Sequence, residues 1–367
     1  MQSTLFFKKN NALDLSDKPR NANKAPSRYR RSMSQADLFA APEQPHPYAD
    51  LGQRLWTLAK HGVYFGSSSW KYDSWQDEIY VARYKSKKDF EQNCLAEYAQ
   101  IFPAVGGDFS FYNWPAETMV ARIDEQTPKG FKIGLKATEF ITLKRYPNIA
   151  RWGDKAGRDN PDFLNAKLFT EKFLGTIEPL RKAGKLAPLI IEFTAFPKGA
   201  FTDWTEFAHE LERFFDELRR GVGSEFEYGV EVRTRDYIHQ DFWAALKAMK
   251  VAPILNSWTR TPPLDEQFKL FQHYDFPFVE ARAVMRPGRT HDEALELFTP
   301  YDKLKEVVTP ARRAMTAMVN WALENRRPCY IFVNNHLEGC AYKTIDAVTS
   351  VLATSQSLPR PTKHHHS

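Results

Sequence analysis

Short runs of β-branched and aromatic residues recur along the chain, and stretches with helical spacing of their apolar positions separate most of them. The runs are VYFGSS (63–68), FSFY (109–112), FKIGLKA (131–137), PLIIEFT (188–194), YGVEVR (228–233), APILNS (252–257), FPFVEAR (276–282) and CYIFVNN (329–335). Several are apolar almost throughout, as strands covered on both faces must be. Between them, segments such as 89–102, 162–184, 203–221, 240–250 and 312–326 carry the 3.6-residue period of amphipathic helices. Alternation of this kind predicts a parallel sheet with right-handed crossovers. Eight strands are also the number that closes a TIM-type (β/α)8 barrel. An open doubly wound sheet would usually carry a glycine-rich phosphate turn after its first strand, whereas FGSSSWKY has one glycine. The expectation is an α/β, TIM-type barrel over 49–357, preceded by a polar segment, 1–48, and followed by a short polar end, 358–367.

Composition changes this picture little. No apolar run approaches the ~20 residues of a membrane span, and MQSTLFFKKNN lacks the apolar centre of a secretory signal. Cys94, Cys329 and Cys340 are too scattered for a disulfide framework and read as small buried hydrophobes in a reducing cytoplasm. The terminal KHHHS is kept out of any metal argument. Charge is more informative. Residues 1–34 hold eight Lys or Arg against two Asp, which accounts for the whole net charge of +6. The remainder is balanced. A basic segment centred on KAPSRYRRS attracts polyanions such as nucleic acid through counterion release, and otherwise serves as a solubilising extension.

In a barrel of this type, chemistry gathers at the carboxyl ends of the strands. Those ends supply Ser67 and Trp70 with Tyr72, Asp108 and Tyr112, Lys136 and Glu139, and Glu192. Further round they supply Glu231 and Arg233, Asn256 and Trp258, Glu280 and Arg282, and Asn334, Asn335 and His336. Five motifs in order, GSSSWKYDSWQDEIY, FSFYNWP, FKIGLKATEFIT, YGVEVRTRDY and IFVNNHLEGCA, resemble the YecE-like family of TIM barrels, a domain of unknown function. The resemblance spans about 62–355; it implies the barrel and no established reaction. It also has departures. Gly106 stands where the family usually has glutamate and Asp108 where it has asparagine. Leu143 follows Ile141 and Thr142 where histidine is usual, and Glu280 and Arg282 replace an arginine and a histidine. Lys136, Glu231, Arg233 and Asn335 match.

The candidate chemistry follows from residue type. Glu231 and Arg233 lie two apart on a strand and so share a face, where they clamp an anion or form a structural ion pair. Lys136 is an anion ligand or a base, or else a salt-bridge partner of Glu231 or Glu192. His336 is a candidate acid or base, with Asn334 and Asn335 as ligand-holding amides or as caps of the following helix. With Glu231, Lys136 and His336 as catalytic candidates, Arg233, Asn334, Asn335, Trp70, Tyr72, Tyr112, Asp108 and Ser67 are the ligand-binding ones. A divalent cation would need Asp108, Glu192, Glu231, Glu280 and His336 to converge, and no local spacing such as HExxH supports that.

One stretch outside the barrel has its own signal. QADLF (35–39) resembles the pentapeptide by which bacterial proteins dock on the replication sliding clamp. Gln35 and Asp37 would orient the segment while Leu38 and Phe39 enter an apolar pocket. The alternative is a capped helical turn whose Leu38 and Phe39 rest on the barrel. Three functional readings remain open. The chain is a DNA-associated enzyme acting on a nucleic acid or phosphorylated fragment, a small-molecule hydrolase or isomerase of sugar or phosphate compounds, or a non-catalytic adaptor with a degenerate site.

Overall fold

The structure, a computed structural model, describes residues 46–355. Its eight strands are β1 (Val63–Ser67), β2 (Ala104–Gly107), β3 (Lys132–Leu135), β4 (Leu189–Phe193), β5 (Tyr228–Val232), β6 (Ala252–Ser257), β7 (Val279–Ala283) and β8 (Cys329–Val333). The paired strands run parallel in the order β3-β2-β1-β8-β7-β6-β5-β4. The first and last strands of that order meet through isolated bridges, Ile133 with Leu186 and Lys136 with Ile190. Backbone bonds of 2.8 Å from Ala137 N to Ile190 O and from Ile133 N to Lys185 O draw the sheet into a nearly closed TIM-type barrel. Helices cover its outside. Among the described residues none is long and apolar enough to cross a membrane.

The second strand is where expectation and structure part. The aromatic FSFY was read as the strand, but Phe109–Tyr112 is a helical turn, and the strand is the preceding AVGG. The reason lies in the neighbours. A Cβ on Gly107 would stand 2.7 Å from Leu135, and one on Gly106 would stand 3.2 Å from the Ser68 Cα and carbonyl oxygen. Strand β2 is therefore built from residues that leave room, and its propensity signal is weak. The same contact bears on the family's usual glutamate at Gly106, which here would have to displace the Ser68 backbone.

The barrel axis is filled on the same principle. A Cβ on Gly134 would meet the Phe332 ring at 2.8 Å, so the ring of β8 reaches across to the bare backbone of β3. Between β3 and β4 the chain makes an excursion whose Leu143, Tyr146 and Trp152 form a small apolar cluster separate from the main core. The basic segment and the proposed clamp-docking residues Gln35, Asp37, Leu38 and Phe39 lie outside the described residues.

Candidate functional site

At the carboxyl end of the barrel, six side chains close a ring in which positive and negative charges alternate. Asp108 pairs with Lys136 at 3.0 Å, and Lys136 with Glu192 at 2.7 Å. Glu192 meets Arg233 at 3.0 Å, and Arg233 meets Glu231 at 3.0 Å. Glu231 lies 3.3 Å from Arg282, which returns to Asp108 at 3.1 Å. Each carboxylate touches two cations and each cation two carboxylates. The ring carries no net charge.

Strand register explains the arrangement. Glu192 and Glu231 are direct partners on β4 and β5. Two neighbouring carboxylates would repel each other, and Arg233, two residues beyond Glu231, places one nitrogen on each. Asn256 supports that geometry by donating its amide to the Val232 carbonyl at 3.1 Å. Lys136 is positioned from its backbone. The Ser110 hydroxyl, in the turn after β2, lies 3.0 Å from the Lys136 amide and 2.8 Å from its carbonyl.

Four members of the ring are sealed from solvent, with side-chain exposures of 6% for Lys136, 2% for Arg282, 1% for Glu192 and 0% for Glu231. The ring opens at Asp108, 35% exposed, and slightly at Arg233, 12%. Burial alone would raise the Asp108 carboxyl, but Arg282 and Lys136 outweigh it and hold the group well below the usual carboxylate range. Burial likewise opposes ionisation of Glu192, and Arg233, Lys136 and Arg282 together overcome it. Trp258 lies against the Arg233 guanidinium, 4.1 Å from its ring centroid. Tyr112 stands among these groups, its hydroxyl raised by burial and then by the charges of Glu192 and Asp108.

Beside the ring is a carboxyl of different character. Glu139 is buried and bonded to Arg151. Burial is the larger influence and Glu192 adds repulsion, so the Glu139 carboxyl is pushed up to about 7 despite Arg151. Arg151 in turn lies over the rings of Tyr112 and Trp152. Glu139 was noted at the end of β3 but not singled out in the sequence. Its signal is electrostatic and depends on the Arg151 excursion folding back.

The remaining candidates lie outside the ion pairs of the ring. His336 is not part of the ring. Its Nε2 lies 2.8 Å from the Tyr301 hydroxyl, the His291 ring is 4.9 Å away between centroids, and burial lowers the imidazole to about 4. Asn334 caps the helical turn that carries it, accepting from the His336 amide at 2.9 Å. Asn335 accepts from the Ala341 amide at 2.7 Å. Ser67 is fully buried, 2.8 Å from the Tyr98 hydroxyl and bonded to the Ser69 carbonyl. Trp70 packs edge-on against Phe109 in the core. Tyr72 lies nearer the ring: burial raises its hydroxyl first, and the Asp108 charge adds to that.

The carboxylates proposed to converge on a metal do not form one cradle. Lys136, Arg233 and Arg282 interleave Asp108, Glu192 and Glu231, and His336 belongs to the Tyr301 cluster. Among the described residues no group of three or more His, Cys, Asp or Glu is placed to hold a metal ion.

The known proteins that resemble this chain bear on its family. No curated relative matches it. Its fold is similar to that of a DUF72 family protein from Enterococcus faecalis, with a TM-score of 0.54 at 16% identity over 82% of this chain and 99% of that one. It is also similar to a DUF72 family protein from Thermotoga maritima, with a TM-score of 0.51 at 18% identity over 79% of this chain and 99% of the other. Residues 64–366 match the family described as "Protein of unknown function DUF72". The YecE-like resemblance of the five motifs is thereby borne out: the chain belongs to the DUF72 family.

Proposed function

We propose that the barrel mouth is the active site of an acid–base enzyme, a hydrolase or isomerase, acting on a small polar ligand. The observation that carries this is the pairing of a neutral ring of fixed charges with Glu139, a carboxyl poised near neutral pH. A proton carrier works best with a pKa near the operating pH, and the ring supplies oriented charges that need no rearrangement during reaction. Asp108 would accept a ligand hydroxyl or amine where the ring opens. Arg233 holds Glu231 and Glu192 through Nε and one terminal nitrogen, and its Nη1 would meet a ligand oxygen. Tyr112, Tyr72 and Trp258 would wall the ligand.

Charge balance separates this reading from a nucleic-acid substrate. A phosphate backbone is held by an excess of cations, and the three cations of the ring are each matched by carboxylates. The test is a screen of p-nitrophenyl glycosides, esters and phosphates with the full chain, beside E139Q and D108N. Turnover with an inflection near pH 7 that disappears in E139Q is expected. Turnover unaffected by either substitution would overturn the assignment.

A second element concerns location and rests on QADLF alone. We propose that Leu38 and Phe39 dock on a bacterial sliding clamp, with Gln35 and Asp37 orienting them, so that the barrel works where DNA is replicated or repaired. Binding of the full chain to a purified clamp, lost when Leu38 and Phe39 are both replaced by alanine, is the expected result. No binding by the unaltered chain would remove the recruitment idea and leave the barrel chemistry untouched.

A further inference from the structure

Beneath the charge ring, four buried polar atoms of three residues have no hydrogen-bond partner among the described residues: both carboxyl oxygens of Glu280, Oε2 of Glu231 and Nε of Arg282. They belong together. Glu280 and Arg282 alternate on β7 and so share a face, and Arg282 Nε lies 3.3 Å from Glu231 Oε2. Glu280 and Glu231 are both 0% exposed and Arg282 is 2% exposed. Buried polar groups are satisfied almost without exception, by protein or by ordered water. Arg282 Nε and Glu231 Oε2 attract each other as charges without making a hydrogen bond, and leaving them and Glu280 without hydrogen-bond partners would cost several kcal/mol.

We infer that a water molecule is bound beneath the ring, accepting from Arg282 Nε and from the acid hydroxyl of a neutral Glu280, and donating to Glu231 Oε2 and to the Glu280 carbonyl oxygen. The donor set selects water over a cation. Arg282 Nε and the Glu280 acid hydroxyl each offer a hydrogen, which a metal or ammonium ion cannot accept, while water accepts two and donates two. The charge balance selects the neutral acid. The ring above already pairs every cation with two carboxylates, so an ionised Glu280 would add an unmatched buried anion beside Glu231. Burial and the nearby Glu231 and Glu227 act in the same direction, against Arg282. The site stands independently of the reaction proposed above.

Two measurements test it on the full chain. A high-resolution crystal structure should show a density peak about 2.7–3.2 Å from all three residues. A direct Glu280–Glu231 bond with no such peak would overturn the water. So would a peak with contacts near 2.3–2.6 Å to carboxylate oxygens, the signature of a calcium-like cation. Infrared difference spectra of E280Q against the unaltered chain at neutral pH should show loss of one protonated-carboxyl stretch. The isosteric amide keeps the fold intact for that comparison, and circular dichroism checks it. A difference spectrum without that loss would overturn the neutral acid, since a half-protonated Glu139 contributes equally to both chains.

Discussion

Arg282 grips Asp108 with two guanidinium nitrogens, at 3.1 and 3.4 Å, although 174 residues separate them in sequence. The pair joins β7 to the turn after β2 and closes the ring across the barrel mouth. Its two ends differ in burial, and that difference sets what their loss should cost.

Replacing Arg282 by methionine keeps much of the volume but removes one of the two cations on the buried Glu231, leaving only Arg233, and one of the two on Asp108. Breaking a buried ion pair from one side costs about 3–5 kcal/mol. Asp108 is partly solvated, so D108N should cost about 1–2 kcal/mol. Urea denaturation of the two variants measures both values, and equal losses would mean that the ring does not act as a sealed unit.

Glu139 makes stability depend on pH in a defined direction. Its carboxyl rises from an ordinary 4.5 to about 7 on folding, so the folded chain holds the proton more tightly. Its stabilisation is complete below pH 4.5 and is lost as pH climbs towards 7. Measured against E139Q, the native chain should lose up to about 3 kcal/mol across that window and then level off. A flat difference would place the Glu139 carboxyl in an ordinary environment.

His336 acts with the opposite sign. Its imidazole falls from 6.5 to about 4, so the folded chain resists the proton. The contribution is complete above pH 6.5 and is lost as pH falls towards 4. Against H336Q, the loss should reach about 3 kcal/mol at the acid end. Nuclear magnetic resonance titration of the imidazole checks the cause directly, and an inflection near 6.5 would remove it.

Gly134 and Phe332 should behave as one packing unit. G134A pushes a methyl group to 2.8 Å from the ring, an overpacking that costs about 1–3 kcal/mol. Trimming the ring in G134A/F332L should recover part of that loss, and a double-mutant cycle by thermal denaturation measures the coupling. Strict additivity would show that the ring moves aside without strain.

The sequence made some of this visible and hid the rest for physical reasons. Residues two apart on a strand share a face, so Glu231 with Arg233 was legible as a pair before any fold was known. The barrel followed from alternation and strand number. What could not be read was which strand ends meet. Asp108 finds Arg282 only because the sheet rolls up, and the same rolling decides for Lys136 between Glu192 and Glu231, which the sequence left open; no local spacing encodes either. His336 illustrates the converse. Its residue type and its place at the end of β8 suited catalysis, yet its contacts are with Tyr301 and with His291 at the start of a helix, not with the ring. Trp70 was likewise a ligand-binding candidate by its place after β1, and it is buried against Phe109 in the core.

The seam between β3 and β4 gives the charge ring another meaning. That edge has only isolated backbone bridges, and Lys136 from one side bonds Glu192 on the other at 2.7 Å. The barrel is thus a rolled sheet with a clasp, and the clasp belongs to the same ring that opens to the mouth at Asp108. A ligand that competes for Lys136 would loosen the cylinder along one line, so occupancy could be followed at a distance through amide exchange at Ile133 and Ala137.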